Sequence, residues 1–302
     1  MKKVILCICI CLTAMLHASV HANAAVVSSG KCGESVTYEL DSNGNLTISG
    51  TGEMYNFSSS DWYKYGGKGY YDSISSVTIN KGVTSVGENA FEDCKNLKSI
   101  NLSDSISNIG NRAFKGCTGI TSIKIPDDVT AINDYVFYGC ENMADVQLSA
   151  NLKSIGDHAF YNCYGITEIS LPNGLETLGD YSLSYFKNLN SISIPDSVTA
   201  IGNSAFANCY NISSVKLPHN TATIGNWAFY MCYSNLKNID IPDGISAIGD
   251  YAFYECNKVE TVSIADSVTA IGNGAFDNTN IKDVYFMGTE MQWDSLGVAY
   301  NG

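Results

Sequence analysis

The chain has 302 residues, 45% of them hydrophobic and 16% charged, with a formal net charge of −13. So acidic a balance argues against nucleic acid or anionic lipid as partner, because both need Lys and Arg to neutralise phosphates. The length could enclose one large globular core, but internal repetition points to an elongated stack instead.

Residues 1–24 read as a secretory signal peptide: Lys2 and Lys3 precede an apolar run from Val4 to Leu16, and Ala22-Asn23-Ala24 resembles a cleavage site. The run is too short to span a bilayer. Cleavage would remove Cys7, Cys9 and Cys11 and bring the charge to about −15, since Lys2 and Lys3 leave with the segment. No lipid-attachment cysteine stands at the expected cut, and no later apolar stretch is long enough to anchor the chain. Residues 25–73 are expected to form an N-terminal cap. Val36 to Leu40 and Leu46 to Ser49 alternate as two strands around the turn residues Asp41-Ser42-Asn43-Gly44. Such a hairpin would cover the open edge of a first coil. A loop rich in Trp62, Tyr63, Tyr65, Tyr70 and Tyr71 follows, expected to fold over that coil.

From residue 74 to 286 the sequence repeats. Phe91, Phe114, Phe137, Phe160, Leu183, Phe206, Phe229, Phe253 and Phe276 recur every 23 residues, with one step of 24. A fixed period of this length means a solenoid. Each repeat opens with a strand such as Leu189-Asn190-Ser191-Ile192-Ser193-Ile194, whose last two apolar residues face inward at period two. All five prolines (Pro126, Pro172, Pro195, Pro218 and Pro242) follow this strand, where a fixed φ and a missing N–H can end it without cost. A short Val-Thr-Ala-Ile element comes next, as at Val198 to Ile201. About ten strands stacked about 4.8 Å apart would make one parallel sheet. The 24-residue step lies between Cys232 and Leu236 and is expected to bulge from a loop, leaving the core register intact.

The repeat closes with a short helical turn. Four residues before the Phe slot stands Gly in every repeat except one, where Asn133 replaces it, which predicts a left-handed backbone there. The next residue is always Asn, Asp or Glu, from Glu88 to Asn273, as a helix N-cap requires. Three residues after the Phe slot run Cys94, Cys117, Cys140, Cys163, Cys209, Cys232 and Cys256, with Phe186 and Thr279 in the remaining two repeats. Cysteines stacked at about 4.8 Å with parallel Cβ vectors do not meet the roughly 3.8 Å separation and facing geometry of a disulfide. An aromatic substitute also implies packing, so buried free thiols are expected. Cys32 stands outside this ladder.

The three phased motifs, Leu-x-x-Ile-x-Ile-Pro, Val-Thr-x-Ile-Gly and Ala-Phe-x-x-Cys, resemble those of the BspA-like leucine-rich-repeat family of bacterial surface and secreted proteins. The flanks resemble it too, at Ser29-Gly30-Lys31-Cys32-Gly33, Leu46 to Gly52, and Val284-Tyr285-Phe286 through Trp293. The resemblance implies a leucine-rich-repeat solenoid, mainly β with short helical turns, a right-handed stack with a parallel sheet, closed by a C-terminal cap over 287–302. It implies adhesion or host and matrix protein contact, no enzyme, and no ligand residues that can be carried over.

The residues offer no catalytic set, cofactor fingerprint or metal cluster. Behind the signal only His158 and His219 remain, neither with a nucleophile beside it in the pattern, and His158 is expected to be one more exposed repeat residue. Two surfaces are binding candidates. The strand face is small and polar and carries Lys124 and Lys216. The turn face carries Tyr135, Tyr138, Tyr161, Tyr181, Trp227, Tyr230, Tyr251 and Tyr254, which could stack on sugars, anchor a protein or pack on one another. The expected partner is an extracellular protein or glycan, the leading reading a secreted or surface-associated adhesin, and the alternatives a carbohydrate-binding module or a passive spacer.

Overall fold

The computed structural model describes residues 24–58 and 72–297. The expected signal peptide, except for its last residue, and the aromatic loop at 62–71 lie outside that range. The chain forms a parallel β-solenoid of about nine turns with almost no helix. At its start β1 (Val26–Lys31), β2 (Val36–Asp41) and β3 (Asn45–Gly50) form an antiparallel meander. The β2–β3 turn is fixed by Asp41 Oδ1, which accepts from the N–H groups of Asn43 (2.8 Å) and Asn45 (2.9 Å). β3 then pairs in parallel with Ser76–Ile79, joining the cap to the first coil with Ile48 opposite Ile79.

Inside each coil one aromatic plug fills the section. Phe91, Phe114, Phe137 and Phe160 are fully buried and stack with centroids 5.3, 5.6 and 5.1 Å apart; Phe206, Phe229, Phe253 and Phe276 stack at 5.2, 5.2 and 5.3 Å. The series breaks at Leu183. There Phe186, standing in the cysteine slot, turns its edge to Phe160 at 6.5 Å and 81°. Leu plus Phe stand where the other coils carry Phe plus Cys, so the coil keeps a single ring but in the other slot, and both residues are buried. The extra residue at 232–236 leaves this register intact: Phe229 still stacks on Phe253 and Ile224 still pairs with Ile248.

The long single sheet expected from the first strands is instead divided. Ser76–Ile79 and Ser99–Leu102 continue from β3, Ser122–Lys124 pairs only with Asp145–Gln147, Ser191–Ser193 with Ser214–Lys216, and Asn238–Ile241, Thr261–Ile264 and Asp283–Phe286 form a last group. The coil at 168–170 forms no strand, so four boundaries are left open, and they fall at the coils carrying Pro126, Pro172, Pro195 and Pro242. In three coils where another residue takes that slot its N–H donates to the coil before: Asn80 to Ile48 O (2.9 Å), Ala265 to Ile241 O (3.0 Å) and Met287 to Ile264 O (2.9 Å). Proline has no such donor, so it ends more than its own strand. Only the boundary at Pro218 is spanned, by a three-residue ladder. Continuity is supplied by the second element: seven two-residue strands from Ala131–Ile132 to Ala270–Ile271 form one uninterrupted parallel sheet.

The third part of the coil departs from the expected helical turn. In the coil of Phe160, the N–H groups of His158, Phe160 and Asn162 donate to Asp180 O, Ser182 O and Ser184 O of the next coil, at 2.8, 2.9 and 3.2 Å. The intervening Ala159, Tyr161 and Cys163 donate back within the coil to Gly156 O, His158 O and Phe160 O. Alternation of this kind needs left-handed residues, and they stand two before and two after the Phe slot, as at His158 (φ 55) and Asn162 (φ 64). The glycines four before Phe are therefore not left-handed. They are small because coils touch there: a Cβ on Gly202 would lie 2.5 Å from the carbonyl carbon of Gly179. The Asn and Asp residues that follow do not cap a helix either. Their side chains accept from the backbone of the next coil: Asp134 from Asp157 N (2.9 Å), Asp157 from Asp180 N (2.8 Å), Asp180 from Asn203 N (2.6 Å), Asn203 from Asn226 N (2.9 Å), Asn226 from Asp250 N (2.8 Å) and Asp250 from Asn273 N (2.7 Å).

The thiols behave as expected of buried hydrophobes and add a ladder of their own. Cys117, Cys140 and Cys163 donate to the carbonyls of Phe91, Phe114 and Phe137 at 3.0, 3.2 and 3.2 Å, and all eight described cysteines are free and buried. Burial pushes the Cys209 thiol up to about 12. The last coil is covered by the helix Glu290–Ser295, closed by a reciprocal Thr289–Gln292 capping box, with Trp293 against Phe286 at 5.5 Å.

Two substitutions test this packing. Leu183→Phe alone should overfill the coil and cost about 1–3 kcal/mol, while Leu183→Phe with Phe186→Cys should recover most of the loss in urea unfolding. Asp157→Ala should cost about 1 kcal/mol, and Asp157→Asn, which keeps the acceptor, markedly less.

Candidate functional site

The two candidate surfaces sit on different sides of the repeat. On the strand face the outward residues of successive strands, among them Ser122, Lys124, Asp145, Gln147, Ser191, Ser193, Ser214, Lys216, Asn238 and Asp240, are all exposed. Lys124 and Lys216 are therefore far from the aromatics and set among small neutral and acidic groups.

The turn face is built by the alternating backbone just described. Tyr135, His158, Tyr181, Ser204, Trp227, Tyr251 and Gly274 share the left-handed position two before the Phe slot. A left-handed residue here points its side chain away from the core, and coil stacking brings each one onto the next. The rings of Tyr135 and His158 stack at 4.7 Å, those of His158 and Tyr181 at 4.7 Å, and those of Trp227 and Tyr251 at 4.2 Å. A second row, one after the Phe slot, stacks Tyr138 on Tyr161 (5.0 Å) and Tyr230 on Tyr254 (5.9 Å). Tyr161 lies edge-on to Tyr185, and burial pushes its phenol up to about 12. Further along, Tyr185 meets Tyr210 edge-on and Tyr210 stacks on Tyr233 at 5.0 Å.

The eight predicted aromatics thus fall into two groups, Tyr135, Tyr138, Tyr161 and Tyr181 in one and Trp227, Tyr230, Tyr251 and Tyr254 in the other. Their ring faces are spent largely on one another. At the outer end of the first group Arg112 lies 4.9 Å from the Tyr135 centroid and Lys115 6.0 Å from that of Tyr138, both held by acidic partners, Glu88 at 3.8 Å and Glu92 at 2.8 Å. Sequence reading missed Tyr185, Tyr210 and Tyr233 as links because they occupy other repeat slots. It also missed the side-chain amides of Asn96, Asn142, Asn188 and Asn211, which donate one coil back at 2.7–2.8 Å; their shared place two after the cysteine slot was the available signal.

His158 is not the exposed repeat residue expected. It is half-buried between two phenol rings, and its Nδ1 is buried without a partner among the described residues. Burial holds the imidazole below its ordinary value of 6.5, against the opposing pull of Asp157, Asp180 and Asp134. His219, by contrast, is exposed and sits 3.0 Å from Asp196, whose carboxyl it holds below the usual range. No group of three metal-ligating side chains occurs among the described residues, and no described helix is long and apolar enough to cross a membrane.

On acidification the unfolded chain takes up the His158 proton first, so this contribution to stability is complete above about pH 6.5 and is lost as the pH falls through the lowered folded value. His158→Tyr should remove it. Melting temperatures of the two proteins should diverge between pH 7 and pH 5, with the wild type falling further.

The model of the "BspA type Leucine rich repeat region" family matches residues 69–190 and 177–295. No curated protein matches the chain. Among solved structures, a leucine-rich-repeat protein from Bacteroides ovatus is similar at 25% identity and a TM-score of 0.58, over 84% of this chain and 76% of its own. A leucine-rich cell surface protein from Faecalibacterium prausnitzii is 22% identical, covering 87% of this chain and 96% of its own at a TM-score of 0.44. A Treponema pallidum leucine-rich-repeat protein is 20% identical over 88% and 94%, at 0.41. With phased motifs, stacked plugs and a family match over most of its length, the chain belongs to the BspA-type leucine-rich-repeat family.

Proposed function

We propose that this protein is a secreted or surface-associated binding protein that contacts an extracellular protein of a host, matrix or neighbouring cell through its strand face. The carrying observation is the row of exposed, small, polar side chains on consecutive coils, interrupted by Lys124 and Lys216. Solenoids of stacked repeats offer such surfaces to protein partners over many coils at once. The residues at 1–24 supply the route of export, and membership of the BspA-type family supports a place at the cell surface. The reading includes no catalysis: Asp134 and Asp157 of the turn face are engaged in the inter-coil ladder, the described thiols are buried, and burial pushes thiols such as Cys209 up, away from the nucleophilic thiolate.

A panel of purified extracellular-matrix proteins, immobilised and probed with the full chain, tests this. Ser193→Tyr with Ser214→Tyr, placed where bulk blocks the strand face without entering the core, should reduce retention at least tenfold. Lys124→Glu with Lys216→Glu should reduce it and weaken its salt dependence. Retention on none of the panel, or retention indifferent to both double variants, counts against the strand face.

A further inference from the structure

The outer aromatic row has one missing member. At the coil of Phe206 the left-handed position holds Ser204 (φ 54) between Tyr181 (φ 55) and Trp227 (φ 60). The ring of Tyr181 is within 20° of His158, and that of Trp227 within 18° of Tyr251, so one face of each is turned toward the Ser204 coil. Elsewhere these faces are taken: Arg112 covers Tyr135, and Gly274 lies so close to Tyr251 that a Cβ there would stand 2.6 Å from the ring. Tyr181 and Trp227 are correspondingly the two exposed members of the row, at 39% and 36%. Two coil spacings separate them, about 9.6 Å, so the gap admits one ring at about 4.8 Å from each neighbour.

The gap has a polar floor and rim. Ser204 is 5% exposed, and its hydroxyl has no hydrogen-bond partner among the described residues, whereas the nearby Ser184 hydroxyl donates to Ala207 O at 2.9 Å. Directly beside the three positions run the half-buried Asp180 and the exposed Asn203 and Asn226. Asp180 accepts from Asn203 through both oxygens, at 2.6 and 3.3 Å, Asn203 accepts from Asn226 N at 2.9 Å, and Asn226 Oδ1 accepts from Asp250 N at 2.8 Å, which leaves the side-chain NH2 of Asn226 without a hydrogen-bond partner among the described residues. An aromatic side chain of a partner would leave these groups unanswered. A pyranose ring presents flat C–H faces to both aromatics and hydroxyls around its edge to the carboxylate, amides and Ser204 hydroxyl. The carboxylates of Asp157 and Asp180 along the rim disfavour an acidic sugar.

We propose that the slot between Tyr181 and Trp227, floored by Ser204, binds a pyranose ring of a neutral saccharide. This site is separate from the strand face and stands or falls apart from it. Ser204→Tyr gives the decisive variant, because every neighbour in the row carries a ring on the same backbone: it completes the stack and fills the slot. A glycan array of neutral and acidic oligosaccharides, followed by calorimetric titration of the neutral oligosaccharide best retained, should show binding by the wild type. Ser204→Tyr should weaken that binding at least tenfold with the melting temperature unchanged or raised, and Trp227→Ala should weaken it similarly. Strand-face variants should leave it unaltered. The proposal is overturned if no neutral saccharide is retained, if only acidic sugars or aromatic peptides are retained, or if Ser204→Tyr binds as the wild type does.

Discussion

The governing constraint on this molecule is that each coil completes its backbone hydrogen bonding only through the coil beside it. In the turn segment every second N–H leaves its own coil, and the Asn and Asp side chains, the thiols and the amides of Asn96, Asn142, Asn188 and Asn211 repeat the same one-coil reach. A coil in isolation would leave those groups open, and ordering its residues would have no compensating interface. Stability here is a property of neighbours, which is why the plugs sit 5.1–5.6 Å apart in their unbroken stacks.

That dependence explains which departures from the repeat are tolerated. Leu183 and Phe186 move the ring from one slot to the other inside a single coil, and the neighbouring plug is met edge-on without either residue leaving the core. The added residue at 232–236 stays out of the core and the second sheet keeps its pairing. Proline is accepted after the first strand although it cuts the sheet there: at Pro172, Pro195 and Pro242 the two-residue strands from Ala131–Ile132 to Ala270–Ile271 still join the coils on another side, and at Pro126, where neither sheet crosses, the turn-segment bonds from Arg112 N to Asp134 O and from Phe114 N to Val136 O do so. Several rows of hydrogen bonds run in parallel, the turn segment among them, so a sheet can lapse at a given step.

Much of this was legible in the sequence, for a physical reason: a period of 23 residues can be counted, and residues at equal phase must share an environment. The plug, the repeated strands and the buried thiols followed from that, and the β2–β3 hairpin from alternation around the turn residues Asp41 to Gly44. The roles of glycine and of Asn or Asp did not. Each residue type satisfies two different demands, glycine a left-handed φ or a close approach, Asn an N-cap or an acceptor for a neighbouring chain, and composition at a slot does not separate them. Two after the Phe slot the left-handed residues include Asp93, Gly116, Gly139, Asn162, Asn208 and Asn278, a readable signal, whereas two before it they include Arg112, Tyr135, His158, Tyr181, Ser204, Trp227 and Tyr251, which no local preference would have chosen. Ser204 escaped notice for a related reason. In one dimension it is a conservative-looking gap in a list of aromatics; only when the rings are seen to spend their faces on each other does the vacancy between Tyr181 and Trp227 acquire a shape.

The ladder of thiols carries one more implication. Sulfhydryl hydrogens aimed at carbonyl oxygens inside a closed coil are held by shape and need no covalent partner, so the described coils have no cross-link to form correctly, to reshuffle or to lose. A molecule assembled this way is indifferent to the redox poise of whatever compartment it enters, equally intact under oxidising and reducing conditions so long as its coils remain shut.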